Sequence, residues 1–265
     1  MQPDPVIEPS DLATMRSAVL LDVRDSAAFK LAHAPSAVRV PIEHWEAAAR
    51  ADETSLGNVA YWETAINALG VDNTVLAVVY DDGRMTEAAR VWFILQYFGA
   101  KAVIVNGGWP AMLNHAVVPT GSPLASKAHN FQAQAGSGKV GLLDRDGLRA
   151  ELGSTTRIFD ARSAAEFDGG DRRKNARGGH LPGARHLAHS QLLDGQRLRP
   201  AHELQQLLTE AGFQAGDHVV THCDGGGRAA LAAVAAVRAG YTGVRAYYLS
   251  FADWARDESC PISRD

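Results

Sequence analysis

The sequence has little cysteine and no long apolar run. Its 265 residues include two cysteines, Cys223 and Cys260, which could form one disulfide at most. Because small secreted domains are usually held together by several disulfides, two cysteines are too few for such a scaffold. We expect two free thiols in a reducing compartment. No stretch approaches the roughly 18 apolar residues of a membrane span, and the first residues lack the basic-then-apolar profile of a secretory signal. We therefore expect a cytoplasmic protein with no membrane partner.

The sequence also lacks a concentrated basic segment. It has 26 Lys and Arg residues against 30 Asp and Glu residues, and the basic residues are scattered along the chain. No polybasic tail or stripe indicates nucleic acid as a partner. With 46% hydrophobic residues, the chain has enough apolar material for one large domain or two of ordinary size.

The chain repeats itself. Four segments recur in the same order in the two halves: residues 22–29 match 160–167, 33–37 match 180–184, 78–83 match 220–225 and 107–112 match 249–254. At one position the copies differ in chemistry, because the second has Cys223 where the first has Asp81. We expect a first domain over residues 1–118 and a second over 139–265. Residues 119–138, rich in Gly, Ser, Ala and polar residues, are expected to form a linker.

Short β-branched runs alternate with helical patterns within each copy. This alternation predicts an α/β fold in which each domain has a mainly parallel sheet flanked by helices. The expected strands lie at residues 19–23, 75–80 and 102–105, and at 157–160, 218–222 and 244–248. Residues 228–239 combine high helix propensity with an apolar surface all round and stop at Gly240, which predicts a buried helix.

Cys223 lies in a segment that can activate a thiol. It follows the strand at 218–222 and precedes the three glycines Gly225, Gly226 and Gly227, after which Arg228 begins the helix. The glycines allow the backbone to curl with its N–H groups inward, and the helix adds its positive end. Such a site holds sulfur as a reactive thiolate. The alternative is a buried structural cysteine; Cys260, which has none of these features, is expected to be incidental.

With these motifs the chain resembles the tandem rhodanese family, which includes thiosulfate and 3-mercaptopyruvate sulfurtransferases. The resemblance covers nearly the whole length and rests on Asp160-x-Arg162, Glu166-Phe167, the motif at 179–184, the Cys223 loop and the closing stretch at 247–254. Asp81 resembles the inactive amino-terminal copy of that family. The closing stretch matches loosely, with Phe251 and Asp253 in place of Trp and Glu, and Ser250 within it is assigned no role.

The resemblance implies a double displacement. A small-molecule donor gives its sulfane sulfur to catalytic Cys223, and a thiophilic acceptor then attacks the persulfide; cyanide, small thiols and thioredoxin are equally open as acceptors. No metal and no organic cofactor is implied.

Six residues are predicted to bind substrate: Arg177, Arg228, Asp224, Gly225, Gly226 and Gly227. The resemblance places a substrate-binding arginine at Arg177, where a guanidinium could pair with a donor carboxylate or sulfonate. The neighbouring Arg172, Arg173 and Lys174 are either a solvated face or part of the site. By resemblance, basic residues after the cysteine accompany thiosulfate and a Gly-Ser-Gly pattern accompanies mercaptopyruvate. Asp224-Gly-Gly fits neither, and its carboxylate should repel a thiosulfate dianion more than a 3-mercaptopyruvate monoanion.

Two other functions remain open. One is a non-enzymatic sulfur carrier or regulatory module, which turnover with small donors would separate from an enzyme. The other is a phosphatase or arsenate reductase, whose loop places five residues between Cys and Arg. Here four residues separate Cys223 from Arg228, and the shorter loop favours a single sulfur atom over phosphate.

Since Asp160, Arg162 and His180 recur in the first copy as Asp22, Arg24 and His33, we expect structural roles for them. We expect His222 to pack in the interior.

Overall fold

The structure is a computed structural model that describes residues 4–15, 17–115 and 130–264. The chain divides into two compact units, residues 1–138 and 139–265. Of the predicted linker, residues 119–129 lie outside the described residues. Residues 130–138 contact the first unit, since the ring of Phe131 is buried and its backbone N–H donates to Asn67 Oδ1 over 2.8 Å. A linker over 119–138 therefore stays a prediction.

The first unit contains a five-stranded sheet with helices around it. Its strands are β1 (Val6–Ile7), β2 (Ala18–Asp22), β3 (Val38–Arg39), β4 (Leu76–Tyr80) and β5 (Lys101–Val105). Its helices are α1 (Ser26–Leu31), α2 (Ile42–Ala48), α3 (Val59–Asn67), α4 (Thr86–Tyr97) and α5 (Gly108–Asn114), with 3-10 turns at Pro9–Thr14 and Asp52–Thr54.

The second unit repeats this plan. Its strands are β6 (Val140–Leu142), β7 (Arg157–Asp160), β8 (Arg185–His186), β9 (Leu193–Asp194), β10 (Arg197–Leu198), β11 (His218–His222) and β12 (Gly243–Ala246). Its helices are α6 (Arg145–Ala150), α7 (Ala164–Phe167), α8 (Ala201–Glu210), α9 (Gly227–Arg238) and α10 (Ser250–Arg256), with a 3-10 helix at His189–Leu192.

The two sheets have the same topology. The first has the order β1-β5-β4-β2-β3 and the second β6-β12-β11-β7-β8, and every pairing within each sheet is parallel. Strands β9 and β10 form a separate antiparallel pair. The predicted α/β fold with two parallel-sheet domains is thus confirmed.

Each sheet is covered by one buried helix that follows its central strand. Residues 88–96 of α4 and 229–236 of α9 are all buried. Helix α9 begins one residue before the predicted start at Arg228 and consists largely of alanine, so its backbone can lie close to the sheet. This arrangement fixes the amino end of α9 beside the carboxyl end of β11, and it is there that Cys223 lies.

The short edge strands β1, β3, β6 and β8 have two or three residues each and were not predicted. So few residues cannot show a period of two, and they pair only because a longer neighbour supplies the hydrogen-bonding edge. Within the described part of the chain, no helix combines the length and apolar character needed to cross a bilayer.

Candidate active site

Cys223 lies at the carboxyl edge of the second sheet. It directly follows β11, which is the central strand, and only three residues separate it from the start of α9. Parallel α/β sheets bind ligands at this edge because loops and helix amino ends converge there. The cysteine is 1% exposed, so its sulfur lies at the bottom of the loop.

The sulfur atom accepts a backbone hydrogen bond from the loop that follows it. The N–H of Gly226 donates to Cys223 Sγ over 3.1 Å. Gly226 has φ of +101°, a conformation that favours glycine, and it precedes the first residue of α9. The predicted inward curl of the backbone is therefore present at Gly226, and an anionic sulfur there faces both an amide and the positive end of a helix.

Ser250 also contacts the cysteine, a contact that the sequence motifs did not assign. Its Oγ lies 3.8 Å from Cys223 Sγ and accepts the N–H of Cys223 over 3.1 Å. The hydroxyl lies 2.9 Å from the carbonyl of Tyr247, which competes for its single proton. Since the N–H of Phe251 donates to the Cys223 carbonyl over 3.0 Å, the first turn of α10 fixes the Cys223 loop, residues 223–227, from one side.

Arg228 forms an ion pair rather than lying free beside the sulfur. Its Nη1 and Nη2 donate to Glu166 Oε2 and Oε1 over 2.6 and 2.8 Å. Glu166 also accepts the N–H of Ser163, so one carboxylate caps α7 and compensates Arg228. Burial opposes ionisation of Glu166, but the hydrogen bonds from Arg228 and Ser163 outweigh it and lower its pKa to about 2.

The insertion at residues 168–179 reaches the Cys223 loop. Asn175 Nδ2 donates to Asp224 Oδ1 over 2.7 Å, and Arg173 Nε lies 3.9 Å from Glu166 Oε1. Arg172, Arg173 and Lys174 are exposed. The sequence singled out the insertion for its charges, but a neutral residue, Asn175, makes the hydrogen bond to the loop.

The structure does not support Arg177 as a substrate-binding residue. Its guanidinium donates to four backbone carbonyls: Nε to Ala255 (2.9 Å), Nη1 to Cys260 (2.8 Å), and Nη2 to Trp254 (3.0 Å) and Asp257. Trp254 and Ala255 lie in the last turn of α10, and Asp257 and Cys260 follow it, so all four carbonyls belong to the carboxyl end of the helix, where intrahelical donors run out. Because four of its five N–H groups are engaged, Arg177 cannot also hold a carboxylate bidentately, and it caps the carboxyl end of α10 instead.

The duplicated Asp-x-Arg motifs form the same buried ion pair in both units. Arg162 Nε and Nη2 donate to Asp160 over 2.9 and 2.6 Å, and Arg24 donates to Asp22 over 3.0 and 2.6 Å. In the second unit His222 Nε2 lies 3.4 Å from Asp160 Oδ2, and burial lowers the pKa of His222 to about 4. His222 is therefore neutral and packed behind the loop.

Asp81 occupies the matching place in the first unit. Its carboxylate accepts the N–H groups of Gly83 and Ala88 over 2.8 and 3.2 Å. The side chain of Asp81 itself therefore occupies the position where these backbone N–H groups could bind an anion. Burial raises the pKa of Asp81 to about 6, against these hydrogen bonds. Four residues separate Asp81 from α4 whereas three separate Cys223 from α9, so the first loop is one residue longer.

No group of three or more His, Cys, Asp or Glu side chains is placed to hold a metal ion within the ranges that the structure describes. The groups described around the Cys223 thiol are the backbone N–H of Gly226, the Ser250 hydroxyl and the Arg228–Glu166 pair.

Comparison with known proteins identifies relatives along both units. A family model described as the rhodanese-like domain matches residues 8–115 and 144–257. A thiosulfate sulfurtransferase of Azotobacter vinelandii is 28% identical over 270 residues, covering 97% of this chain and 96% of that protein. A 3-mercaptopyruvate sulfurtransferase of Escherichia coli K12 is 28% identical over 244 residues, covering 87% and 83%.

Solved structures share the fold. SseA from Escherichia coli, described as a 3-mercaptopyruvate sulfurtransferase with the rhodanese fold, has a TM-score of 0.74 at 23% identity, covering 94% of this chain and 99% of its own. An anaerobic ergothioneine biosynthesis enzyme from Chlorobium limicola has a TM-score of 0.80 at 19% identity; the match covers 93% of this chain but only 64% of that enzyme. At these identities the two structures establish the architecture.

Proposed function

The chain belongs to the rhodanese family, and we propose that it is a sulfurtransferase in which Cys223 carries the transferred sulfur as a persulfide. The observation that carries this proposal is the hydrogen bond from the Gly226 N–H to Cys223 Sγ, 3.1 Å long, at the amino end of α9. A backbone donor and a helix terminus aimed at one sulfur stabilise it as an anion, which the reaction requires in both half-reactions.

In the first half-reaction the Cys223 thiolate attacks the sulfane sulfur of the donor. A new S–S bond forms on Cys223 while the S–S bond of thiosulfate, or the C–S bond of 3-mercaptopyruvate, breaks. The bonding pair leaves with sulfite or with the enolate of pyruvate, which then takes a proton. In the second half-reaction an acceptor attacks the outer sulfur, and the Cys223 thiolate departs into the hydrogen bond from Gly226.

We propose 3-mercaptopyruvate as the preferred donor. The bidentate faces of Arg228 and Arg177, the two cations expected to bind the donor, are engaged by Glu166 and by backbone carbonyls. Asp224, the residue after Cys223, has its carboxylate held by Asn175. A monoanionic donor meets less repulsion from this carboxylate than the thiosulfate dianion does. Arg173, which is exposed and has its Nε 3.9 Å from Glu166 Oε1, is a nearby counter-charge.

We propose that the protein functions in the cytoplasm, where both cysteines stay reduced. Both are free thiols in the structure. The proposed acceptor is a thiol, either a small molecule or the dithiol of thioredoxin. The acceptor approaches at the edge where β11, β7 and β8 end, since the other side of Cys223 is covered by α10.

The test is steady-state sulfur transfer to cyanide with each donor in turn. Cys223→Ser should abolish transfer, because a serine hydroxyl is not ionised near neutral pH. Cys260→Ala is the matched control, since Cys260 is buried in the core, and it should keep the wild-type kcat. Turnover that survives in Cys223→Ser would refute the proposal, and a preference for thiosulfate would refute the assigned donor.

A further inference from the structure

His189 lies at the carboxyl edge of the sheet, on the side of Cys223 away from α10. Its backbone N–H donates to the carbonyl of Ala161 over 3.1 Å, and the N–H of Ala161 donates to the carbonyl of His222, the residue before Cys223, over 3.0 Å. Two strand-to-strand steps thus separate His189 from the cysteine. Since neighbouring strands lie about 4.8 Å apart, the two backbones are roughly 10 Å apart.

The ring of His189 lies partly exposed between charged neighbours. The 3-10 helix that it begins packs against α9, and the charged groups that face it are Arg228 on α9 and Glu166 on α7. Its Nδ1 is buried and has no hydrogen-bond partner among the described residues, whereas the ring as a whole is half-exposed, so an incoming thiol reaches the ring through its exposed part. A buried nitrogen without a partner is costly to maintain, and such groups are often used in function.

The same surroundings favour the neutral ring. Burial, and next the positive charge of Arg228, lower the pKa of His189, against smaller opposing effects of the Ala161 carbonyl and Glu166. A neutral imidazole at physiological pH has a basic nitrogen that can take a proton. His222, which lies closer to the cysteine, cannot serve because it is fully buried against Asp160.

We propose that His189 is the base that accepts the thiol proton of the sulfur acceptor. This inference rests on the sulfurtransferase function and the thiol acceptor proposed above, and it assigns the residue that deprotonates that acceptor. The S–H proton passes to the imidazole, and the acceptor thiolate attacks the outer sulfur of the Cys223 persulfide. A new S–S bond forms on the acceptor, which leaves as a hydropersulfide. The bond between the two sulfurs on Cys223 breaks, its electron pair returns to Sγ, and the imidazolium gives its proton to solvent.

Rates with two different acceptors distinguish a role of His189 as a base from a structural role. A simple alkyl thiol such as 2-mercaptoethanol is mostly protonated at pH 7.5, because such thiols titrate at about pH 8.5 or above. Sulfite attacks through a sulfur that carries no proton and needs no base. Loss of a catalytic base should therefore slow transfer to the thiol alone, whereas a damaged site should slow both.

The experiment is a single-turnover measurement on the full chain, loaded with sulfur by 3-mercaptopyruvate and freed of donor. His189→Gln and His189→Phe should slow transfer to 2-mercaptoethanol at least about tenfold at pH 7.5, the low side of a typical general-base contribution. Transfer to sulfite should stay within about twofold of wild type, which also shows that each variant is folded and loaded. The difference in transfer rate to 2-mercaptoethanol between the variants and the wild type should become smaller as the pH rises, because the thiol then ionises in solution.

His202→Gln is the matched control, because His202 is exposed on α8. It should behave like the wild type with both acceptors. Equal slowing with thiol and sulfite would overturn the proposal in favour of a structural role, and so would unchanged rates with both. If the wild-type chain takes up no sulfur from either donor, the sulfurtransferase function itself fails, a result distinct from the others.

Discussion

Arg228 and Glu166 are joined by two hydrogen bonds of 2.6 and 2.8 Å beside the buried sulfur of Cys223. The Glu166 side chain is 2% exposed and the Arg228 side chain 18%. Arg228 therefore does not place a free cation next to the sulfur, as its position in the sequence suggested. Its charge is compensated, and the backbone N–H of Gly226 donates directly to the sulfur.

Glu166→Gln should remove an acid-sensitive part of the stability. The folded pKa of Glu166, about 2, lies below the ordinary value of 4.5, so its contribution is complete above pH 4.5 and is lost as the pH falls towards 2. A shift of this size corresponds to as much as about 3 kcal/mol. Urea unfolding between pH 7 and pH 3 should show a weaker acid dependence for Glu166→Gln than for wild type. Glu203→Gln, on the exposed face of α8, should keep the wild-type dependence.

Asp81→Asn should stabilise the first unit at neutral pH. The folded pKa of Asp81, about 6, lies above the ordinary 3.8, so its favourable contribution is complete below pH 3.8 and is lost as the pH rises through 6. Removing the buried charge should raise the free energy of unfolding by about 1–3 kcal/mol at pH 7.5. Tryptophan fluorescence during urea unfolding reports mainly on this unit, which holds four of the five tryptophans. Asp82→Asn, at an exposed neighbour, should change little, and equal effects of the two would contradict the account.

Gly226→Ala should lower sulfur transfer much more than stability. Gly226 has φ of +101°, and alanine there costs about 1 kcal/mol while pushing the N–H away from the sulfur. We expect kcat to fall by about 10²-fold, the cost of losing one donor to a developing anion. Gly216→Ala is the control, since Gly216 has φ of +93° with open space around the new Cβ. It should show the same loss of stability with unchanged kcat.

Arg177→Ala should destabilise the second unit rather than weaken donor binding. Four hydrogen bonds to backbone carbonyls at the end of α10 disappear, and we expect a loss of about 2–4 kcal/mol. Chemical denaturation gives the stability, and the donor KM is measured at a temperature where the variant is folded. Arg172→Ala, at an exposed position on the same insertion, should be neutral in stability. A tenfold higher KM with unchanged stability would restore the substrate role to Arg177.

The sequence alone revealed the duplication, the parallel α/β class and the loop around Cys223, because these depend on local patterns: strand periodicity, glycine spacing and helix propensity. It could not reveal the partners of Arg177, which are backbone carbonyls 77–83 residues further along the chain and leave no trace in residue types. Glu166 could be recognised as a helix cap from Ser163-x-x-Glu166, but not as the partner of Arg228, 62 residues away.

The alignment of the two repeats also missed a difference in length between the Asp81 loop and the Cys223 loop. The match of residues 78–83 with 220–225 placed the glycines together, yet the helix starts one residue later in the first unit, after Met85 in the left-handed conformation.

Nothing in the sequence indicated a role for His189, since this residue belongs to no repeated motif. Its importance depends on the parallel pairing of β7 with both β8 and β11, which brings the ends of three strands to one edge.

The most direct test of the central claim is mass spectrometry of the protein after exposure to 3-mercaptopyruvate without any acceptor. The account predicts a mass increase of one sulfur atom that maps to the peptide containing Cys223, is removed by cyanide, and is absent in Cys223→Ser. Sulfur bound at Cys260, or no bound sulfur with either donor although the protein is folded, would contradict it.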